Sequence, residues 1–472
     1  MPRPKAFHGI RCAALFLLIF FLLAGCSTTT PESPTGIIPS ENLGVDSENR
    51  IILASRGGET SFSLVCDLGL PESSLAEILR IRDAFRDRLG VDLPLLDSGS
   101  ADTGGAEIVV AARSRQGCAD LLSELGNGEF AVSAEGNKIF IAYKGGMGRM
   151  CAIEAFLNEA MGTDEASVPA DLNLRGKAEN VIIESTIEQL RDPCILYEKG
   201  VYYAYGTGWT CRRNTSGSLA GEWENLGVVV KIPPHADADH WAPEVHRYNG
   251  QYWMFTTYHS TQTGHRGCTI LVSDSPEGPF EEVSDGPLTP KDWDAIDGTF
   301  WVDEDGSPWM IFVHEWTSTD DNVGRMAAAR LSDDFTHFIT EPVELFRADD
   351  APWAKNGVTD GCWMYGTEDG QLLMLWSNWD SEGYCVGIAR SPSGKVEGPW
   401  QQDERLLYSK SMTGKYDGGH GMLFIDAEGQ MYLSIHSPNS PSGDRKEKPI
   451  FIPVREENST IVWDFGKAVD PN

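Results

Sequence analysis

One pattern recurs five times in the second half of this chain: an apolar strand, a turn closed by glycine, and an aromatic-rich strand. The copies are ILYEKGVYYAYGT, VHRYNGQYWMFTTY, FWVDEDGSPWMIFVHEW, MYGTEDGQLLMLWSN and MLFIDAEGQMYLSIHS. Their turn glycines are Gly200, Gly250, Gly306, Gly370 and Gly429, at intervals of 50, 56, 64 and 59 residues. A tight hairpin needs a residue with positive φ, which glycine supplies without steric cost. A further strand with a Gly- and Pro-rich turn follows most copies, most clearly ILVSDSPEGPF and VGIARSPSGKVEGPW. Repeats of this length, each holding several strands, predict propeller blades. Five copies predict a five-bladed β-propeller over residues 187–466. A β-sandwich is the alternative, but it predicts no period.

The first half reads differently. All 14 tryptophans lie beyond residue 200, the first being Trp209. Before them, strand and helix patterns alternate. Phe62–Cys66 and Glu107–Ala111 read as strands, and Phe130–Tyr143 as a hairpin turning at Glu135-Gly136-Asn137. Ser74–Leu89 carries the apolar spacing of an amphipathic helix, and Met147–Met161 reads as a closing helix. The expectation is a mainly β chain, its propeller preceded by a small α/β domain at 48–180.

At the N-terminus, Arg3, Lys5 and Arg11 precede an apolar run from Ala13 to Leu23. That run suits an export signal and is short for a membrane span. It ends in Leu23-Ala24-Gly25-Cys26, which resembles the lipobox of bacterial lipoproteins. The resemblance implies a signal peptide at 1–25, a lipid on Cys26, a flexible tether at 26–47, and a membrane-anchored place in the cell envelope. The formal charge of −32 makes nucleic acid an unsuitable partner, because such a body repels phosphate. Eight further cysteines show no metal-ligand spacing, and both disulfides and buried thiols stay open.

Each copy is preceded by an ionisable group: Asp192, Glu244, Asp297, Asp360 and His420. First strands line the channel of a propeller, so these five should converge at one mouth. An isolated acid before a turn is usually a turn-former. Five at matching positions point to a functional cluster.

The stretches Arg191-Asp192-Pro193, Trp241-Ala-Pro-Glu244-Val245, Ile296-Asp297-Gly298 and Gly419-His420-Gly421 resemble glycoside hydrolase family 43. That resemblance implies hydrolysis of O-glycosyl bonds, with an oligo- or polysaccharide as substrate. It makes Asp192 the general base, gives Asp297 the tuning and orientation of the acid, and puts His420 beneath the site, beside a calcium ion. No cofactor is required for the reaction. The α/β half is similar to domains that precede other glycosidase catalytic domains, and itself shows no cluster of acid, base or nucleophile. Inversion needs one carboxylate to activate water and one acid to protonate the leaving oxygen, about 6.5–9.5 Å apart. Trp241, Trp301, Trp316 and Trp363 offer faces for sugar rings, and Glu244 and His420 further substrate contacts.

One departure matters. The family has a glutamate followed by Gly-Pro as acid in the fourth blade, where this chain has Asp360-Gly361-Cys362. Glu315, at the end of the third blade's second strand, should return to the same mouth as Asp297. The acid is therefore expected on Glu315, with Asp360 next, and a rim salt bridge is the other reading of Glu315. An exo-acting, inverting α-L-arabinofuranosidase follows, with β-xylosidase or exo-β-galactosidase as alternatives. The competing class is a surface carbohydrate-binding propeller without activity.

Overall fold

The computed structural model describes residues 49–178, 181–415, 417–439 and 446–466. The expected signal, tether and Cys26 lie outside them. Among the described residues no helix is long and apolar enough to cross a membrane.

Five antiparallel sheets follow one another along the second half. The first blade begins with Cys194–Glu198, the second with Ala236–Tyr248, the third with Ala295–Val302, the fourth with Asp360–Gly366 and the fifth with Gly419–Ile425. Each first strand neighbours the next, and the fifth neighbours the first, so the ring closes. Ile183–Glu184, upstream of the first blade, pairs with Lys448–Glu457 of the fifth and ties the ends together.

The five turn glycines have φ of 89°, 86°, 83°, 87° and 85°. In the first two blades the turn has two residues, Lys199-Gly200 and Asn249-Gly250, both left-handed at each turn. The other three use a wider turn, in which the glycine N–H bonds back to Asp303, Thr367 or Asp426. Side chains of a strand alternate between faces, which is how the blades stack. Tyr202 and Ala204 pack toward Phe424 and Phe451 of the fifth blade. Tyr203 and Tyr205, one step out of phase, pack toward Tyr252 and Met254 of the second.

The preceding residues form a six-stranded sheet in which Leu95–Asp97, Phe62–Cys66, Ala106–Val110 and Lys138–Tyr143 run parallel. Glu129–Glu135 and Asn173–Lys177 extend it antiparallel. Three helices accompany it: α1 (Glu72–Leu89), α2 (Gln116–Glu124) and α3 (Gly145–Ala160). Helix α1 starts with Glu72 and ends with Arg86 and Arg88, charges that complement its dipole. Gly90, at φ 69°, closes it by donating its N–H to Arg86. This sheet, α1 and α3 share one hydrophobic core with the third, fourth and fifth blades, and the described residues form one compact unit. All eight described cysteines are buried free thiols.

Candidate active site

Every blade has a left-handed residue at an equivalent place in, or just before, its first strand. These are Asp192, Ala242, Asp297, Gly361 and His420, with φ of 55°, 42°, 55°, 55° and 57°. In the last four blades a bulge accompanies it, which re-aims the side chain out of the sheet's regular alternation. A left-handed non-glycine residue costs about 1–2 kcal/mol. Here each such N–H is held by the preceding blade's second strand. Asp192 donates to His436, Ala242 to Thr207, Asp297 to Thr257 and His420 to Ser377.

This register corrects the expectation of five matching groups. Only Asp192, Asp297 and His420 occupy the left-handed position. Asp360 stands one residue before it and Glu244 two residues after.

Four of the five groups nevertheless meet. His420 Nδ1 lies 3.3 Å from Asp192 Oδ1, 3.4 Å from Asp360 Oδ1 and 3.9 Å from Asp297 Oδ2. Contacts of 3.3 and 3.4 Å with one shared nitrogen keep the Asp192 and Asp360 Oδ1 atoms no further apart than the lower end of the range for inversion, about 6.5 Å. Each carboxylate is also held from its far side. Thr207 donates to Asp192 Oδ2 at 2.5 Å, Tyr384 to Asp360 Oδ2 at 2.6 Å, and the Gly361 N–H to Asp297 Oδ2 at 2.9 Å. Arg191 approaches Asp192 Oδ1 at 3.6 Å.

The electrostatics separate the acids. Burial alone would raise Asp192, but the charges on His420 and Arg191 and the contact with His436 hold it well below the usual carboxylate range. Asp297 is pushed well above that range, by burial first and then by Asp360 and Asp192, against the pull of His420. Burial would also raise Asp360, yet hydrogen bonding with His420 and Asp297 brings it down. The Asp297–Asp360 pair therefore keeps one proton that an ordinary carboxyl would lose. Burial would lower His420, and the surrounding carboxylates overcome it and raise the imidazole to about 10.

Glu244 is 1% exposed and sits deeper in the channel. Its Oε2 meets His246 at 3.3 Å, while its Oε1 has no hydrogen-bond partner among the described residues. Burial raises its pKa. The Nε2 of His420 is likewise buried and unpartnered. Asp297, Asp360 and His420 each offer a ligand atom within 4.8 Å of the others. The carboxylate oxygens of Asp297 and Asp360 suit a hard divalent cation such as calcium, and the unpartnered Nε2 of His420 is a further donor beside them.

The expected placement of the acid changes. Glu315 does reach the mouth, where its N–H bonds to Asp294. Its carboxylate, however, turns to the second blade, and Arg266 forks both oxygens at 2.7 and 3.0 Å. Burial raises its pKa and Arg266 opposes this. With both oxygens engaged, the geometry of Glu315 is that of an ion pair, and Asp360 is the carboxyl that stands in the cluster.

The tryptophans divide as well. Trp241 stands at the mouth with the Arg266 guanidinium 5.4 Å from its ring centre. Trp316, adjacent to Glu315, is half-buried near it. Trp301 and Trp363 follow Asp297 by four residues and Asp360 by three, which at about 3.3 Å per residue carries them roughly 10–13 Å down the channel. There Trp363 stacks on His246 at 5.2 Å, and Trp301 packs against Gly366. Neither is placed for a sugar at the mouth.

Tyr384, His436, Thr207 and Arg266 escaped the reading of the sequence. His436 and Thr207 could have been found by aligning the ends of the second strands, because Thr207, Thr257, Val313, Ser377 and His436 are register equivalents. Tyr384 and Arg266 belong to third strands, where no local signal marks them.

Comparison with known proteins adds a family. The profile of Glycosyl hydrolases family 43 matches residues 179–452. Extracellular endo-alpha-(1->5)-L-arabinanase 1 of Bacillus subtilis (strain 168) is 29% identical over 144 residues, which are 28% of this chain and 45% of that protein, so the match spans under half of it. Probable arabinan endo-1,5-alpha-L-arabinosidase B of Aspergillus oryzae (strain ATCC 42149 / RIB 40) is 30% identical over 304 residues, covering 53% of this chain and 83% of that protein. Among solved structures, the endo-arabinase from Bacteroides thetaiotaomicron VPI-5482 superposes with a TM-score of 0.53 at 36% identity, covering 59% of this chain and 98% of that one.

Proposed function

Because this chain belongs to Glycosyl hydrolases family 43, we propose that it hydrolyses α-1,5-linked arabinan with inversion, cutting within the polysaccharide. The observation that carries this reading is the convergence of Asp192, Asp297 and Asp360, from three different blades, on one imidazole nitrogen. Arabinan as substrate and the internal mode of cutting are supported by the relatives' printed names. Exo-acting cleavage, the expectation drawn from sequence, is the other mode that the test below distinguishes.

Asp192, held ionised, accepts a proton from water as that water attacks the anomeric carbon. Asp360 gives the proton kept by the Asp297–Asp360 pair to the departing glycosidic oxygen. Asp297 shares that proton with Asp360, and the Gly361 N–H fixes its orientation. A divalent cation, held by His420 with carboxylate oxygens, would supply compensating positive charge beneath the site. Trp241, braced by Arg266, offers a sugar-stacking face. The test is time-resolved product analysis on linear arabinan. A ladder of short oligosaccharides with rapid loss of viscosity supports internal cutting, a single small product from the outset supports an exo enzyme, and binding without products supports the non-catalytic reading.

Export and lipid attachment at Cys26 belong to the same proposal, supported by Leu23-Ala24-Gly25-Cys26 and the polar segment after it. Mass spectrometry of the membrane-extracted protein should find residues 1–25 removed and an acyl chain on Cys26. An intact N-terminus without acylation would refute it.

A further inference from the structure

The reaction described above assigns nothing to helices α1 and α3, yet both end on loops that frame its acid. At the start of α1, Glu72 pairs with Lys355 at 2.8 Å and Ser73 donates to Glu382 at 3.1 Å. Lys355 in turn donates its N–H to the Trp379 carbonyl. These contacts grip the turn between the fourth blade's second and third strands. Asp380 folds that turn by accepting the N–H groups of Glu382 and Gly383 at 2.7 and 2.9 Å. The next residue is Tyr384, fully buried, whose hydroxyl holds Asp360.

Helix α3 grips the other side. Its buried Arg149 donates to the Ser411 carbonyl at 3.1 Å. At Gly146 a β-carbon would collide with the backbone of Ser411 and Met412. Ser411 and Met412 belong to the short helix α4 (Lys410–Thr413), in the connection that leads to His420. Asp417 of that connection accepts the Tyr384 N–H at 3.3 Å, and Gly418 donates to the Tyr384 carbonyl at 3.0 Å. The Tyr384 ring then lies on Gly419, where a β-carbon would strike it, and stacks on His436 at 5.6 Å. Tyr384 is thus clamped between one segment gripped by α1 and another gripped by α3, and it touches both Asp360 and His436, the partner of Asp192.

We infer that α1 and α3 belong to the catalytic apparatus, Ser73 and Arg149 being positioning residues that hold Tyr384, and through its hydroxyl Asp360, in reacting geometry. This rests on the reading of Asp360 as the acid. A shift of about an ångström in a reacting group can cost on the order of a hundredfold in rate, so modest contacts far from the bond being cut can matter.

The test uses the full chain and a double-mutant cycle. Ser73→Ala/Arg149→Ala should lower kcat on arabino-oligosaccharides about tenfold or more while KM changes less than about twofold. A dinitrophenyl arabinofuranoside, whose leaving group needs little protonation, should lose far less. Adding Tyr384→Phe should cause no further loss, and Arg149→Lys should restore most of the activity lost in Arg149→Ala. Wild-type kcat in the double variant, losses that multiply with those of Tyr384→Phe, or equal losses on both substrates with a raised KM would each overturn the inference. Ser73→Ala alone removes one hydroxyl and carries the same cycle if the double variant does not fold. Asp360→Asn runs alongside: if it too ignores the leaving group, the acid assignment fails, and coupling to Tyr384 is then judged on kcat alone.

Discussion

The Gly361 N–H donates to Asp297 Oδ2 at 2.9 Å, so that among these five left-handed residues it alone bonds to a carboxylate of the preceding blade's first strand. The other four N–H groups find an acceptor on the preceding blade's second strand: Thr207, Thr257, Ser377 or His436. The equivalent residue facing Gly361 is Val313, which has no acceptor to offer. The N–H freed by that valine holds Asp297, the carboxylate paired with Asp360.

Gly361→Ala should therefore be severe. The residue is left-handed, and a β-carbon would come within 2.8–3.0 Å of His420 ring and backbone atoms. Backbone strain of about 1–2 kcal/mol adds to the clash. We expect a fall in kcat of at least about a hundredfold, with the fold retained by circular dichroism. Unchanged kcat would contradict the placement of His420 against Gly361.

Asp192→Asn should reduce turnover by orders of magnitude on every substrate, because water must be activated whatever leaves. Affinity for arabino-oligosaccharides should persist, since the change is nearly isosteric. Early NMR of wild-type turnover should show the anomeric configuration opposite to the substrate's. Retention would make Asp192 a nucleophile instead.

The acid is tested by leaving group. Asp360→Asn should cripple hydrolysis of arabino-oligosaccharides while largely sparing a dinitrophenyl arabinofuranoside. Glu315→Gln breaks the fork with Arg266, which lies over Trp241, so it should act mainly on KM, by a few-fold on both substrates. The reverse pattern would return the acid to Glu315.

The dependence on pH has a definite sign. Asp192 is depressed and stays ionised below the usual carboxylate range, so it does not limit kcat/KM near pH 5. Activity should instead fall as pH rises through the raised value of the Asp297–Asp360 pair, when its proton is lost. Asp297→Asn removes the carboxyl that shares that proton, so the falling limb should move to lower pH. A limb that stays in place would assign the proton elsewhere.

Much of this was legible in the chain because it is local. A turn glycine needs positive φ whatever surrounds it, so five of them at a long period announce five blades. Strand alternation and helix spacing likewise located Phe62–Cys66 and the hairpin from Glu129 to Tyr143, and α1 begins only two residues before its expected start. Three of the ionisable groups occupy the position their spacing suggested. What the sequence could not say is which neighbour in each motif becomes left-handed. In the fourth blade Gly361 takes that conformation and shifts Asp360 by one residue, because backbone packing against His420 leaves no room for a side chain.

The remaining partners depend on distance in space between residues distant in the chain. Glu315 and Arg266 are 49 residues apart and Asp192 and His436 are 244 apart, and no periodicity links them. That Glu315 forms half of an ion pair is visible only once the second blade brings Arg266 beside it. The grip of Ser73 on Glu382 spans 309 residues. Amino-acid sequence thus determined the blades and their ionisable groups, through local backbone preference. Tertiary packing alone decided which of those groups share a proton, which are paired, and which helices hold them, because burial and charge act through space.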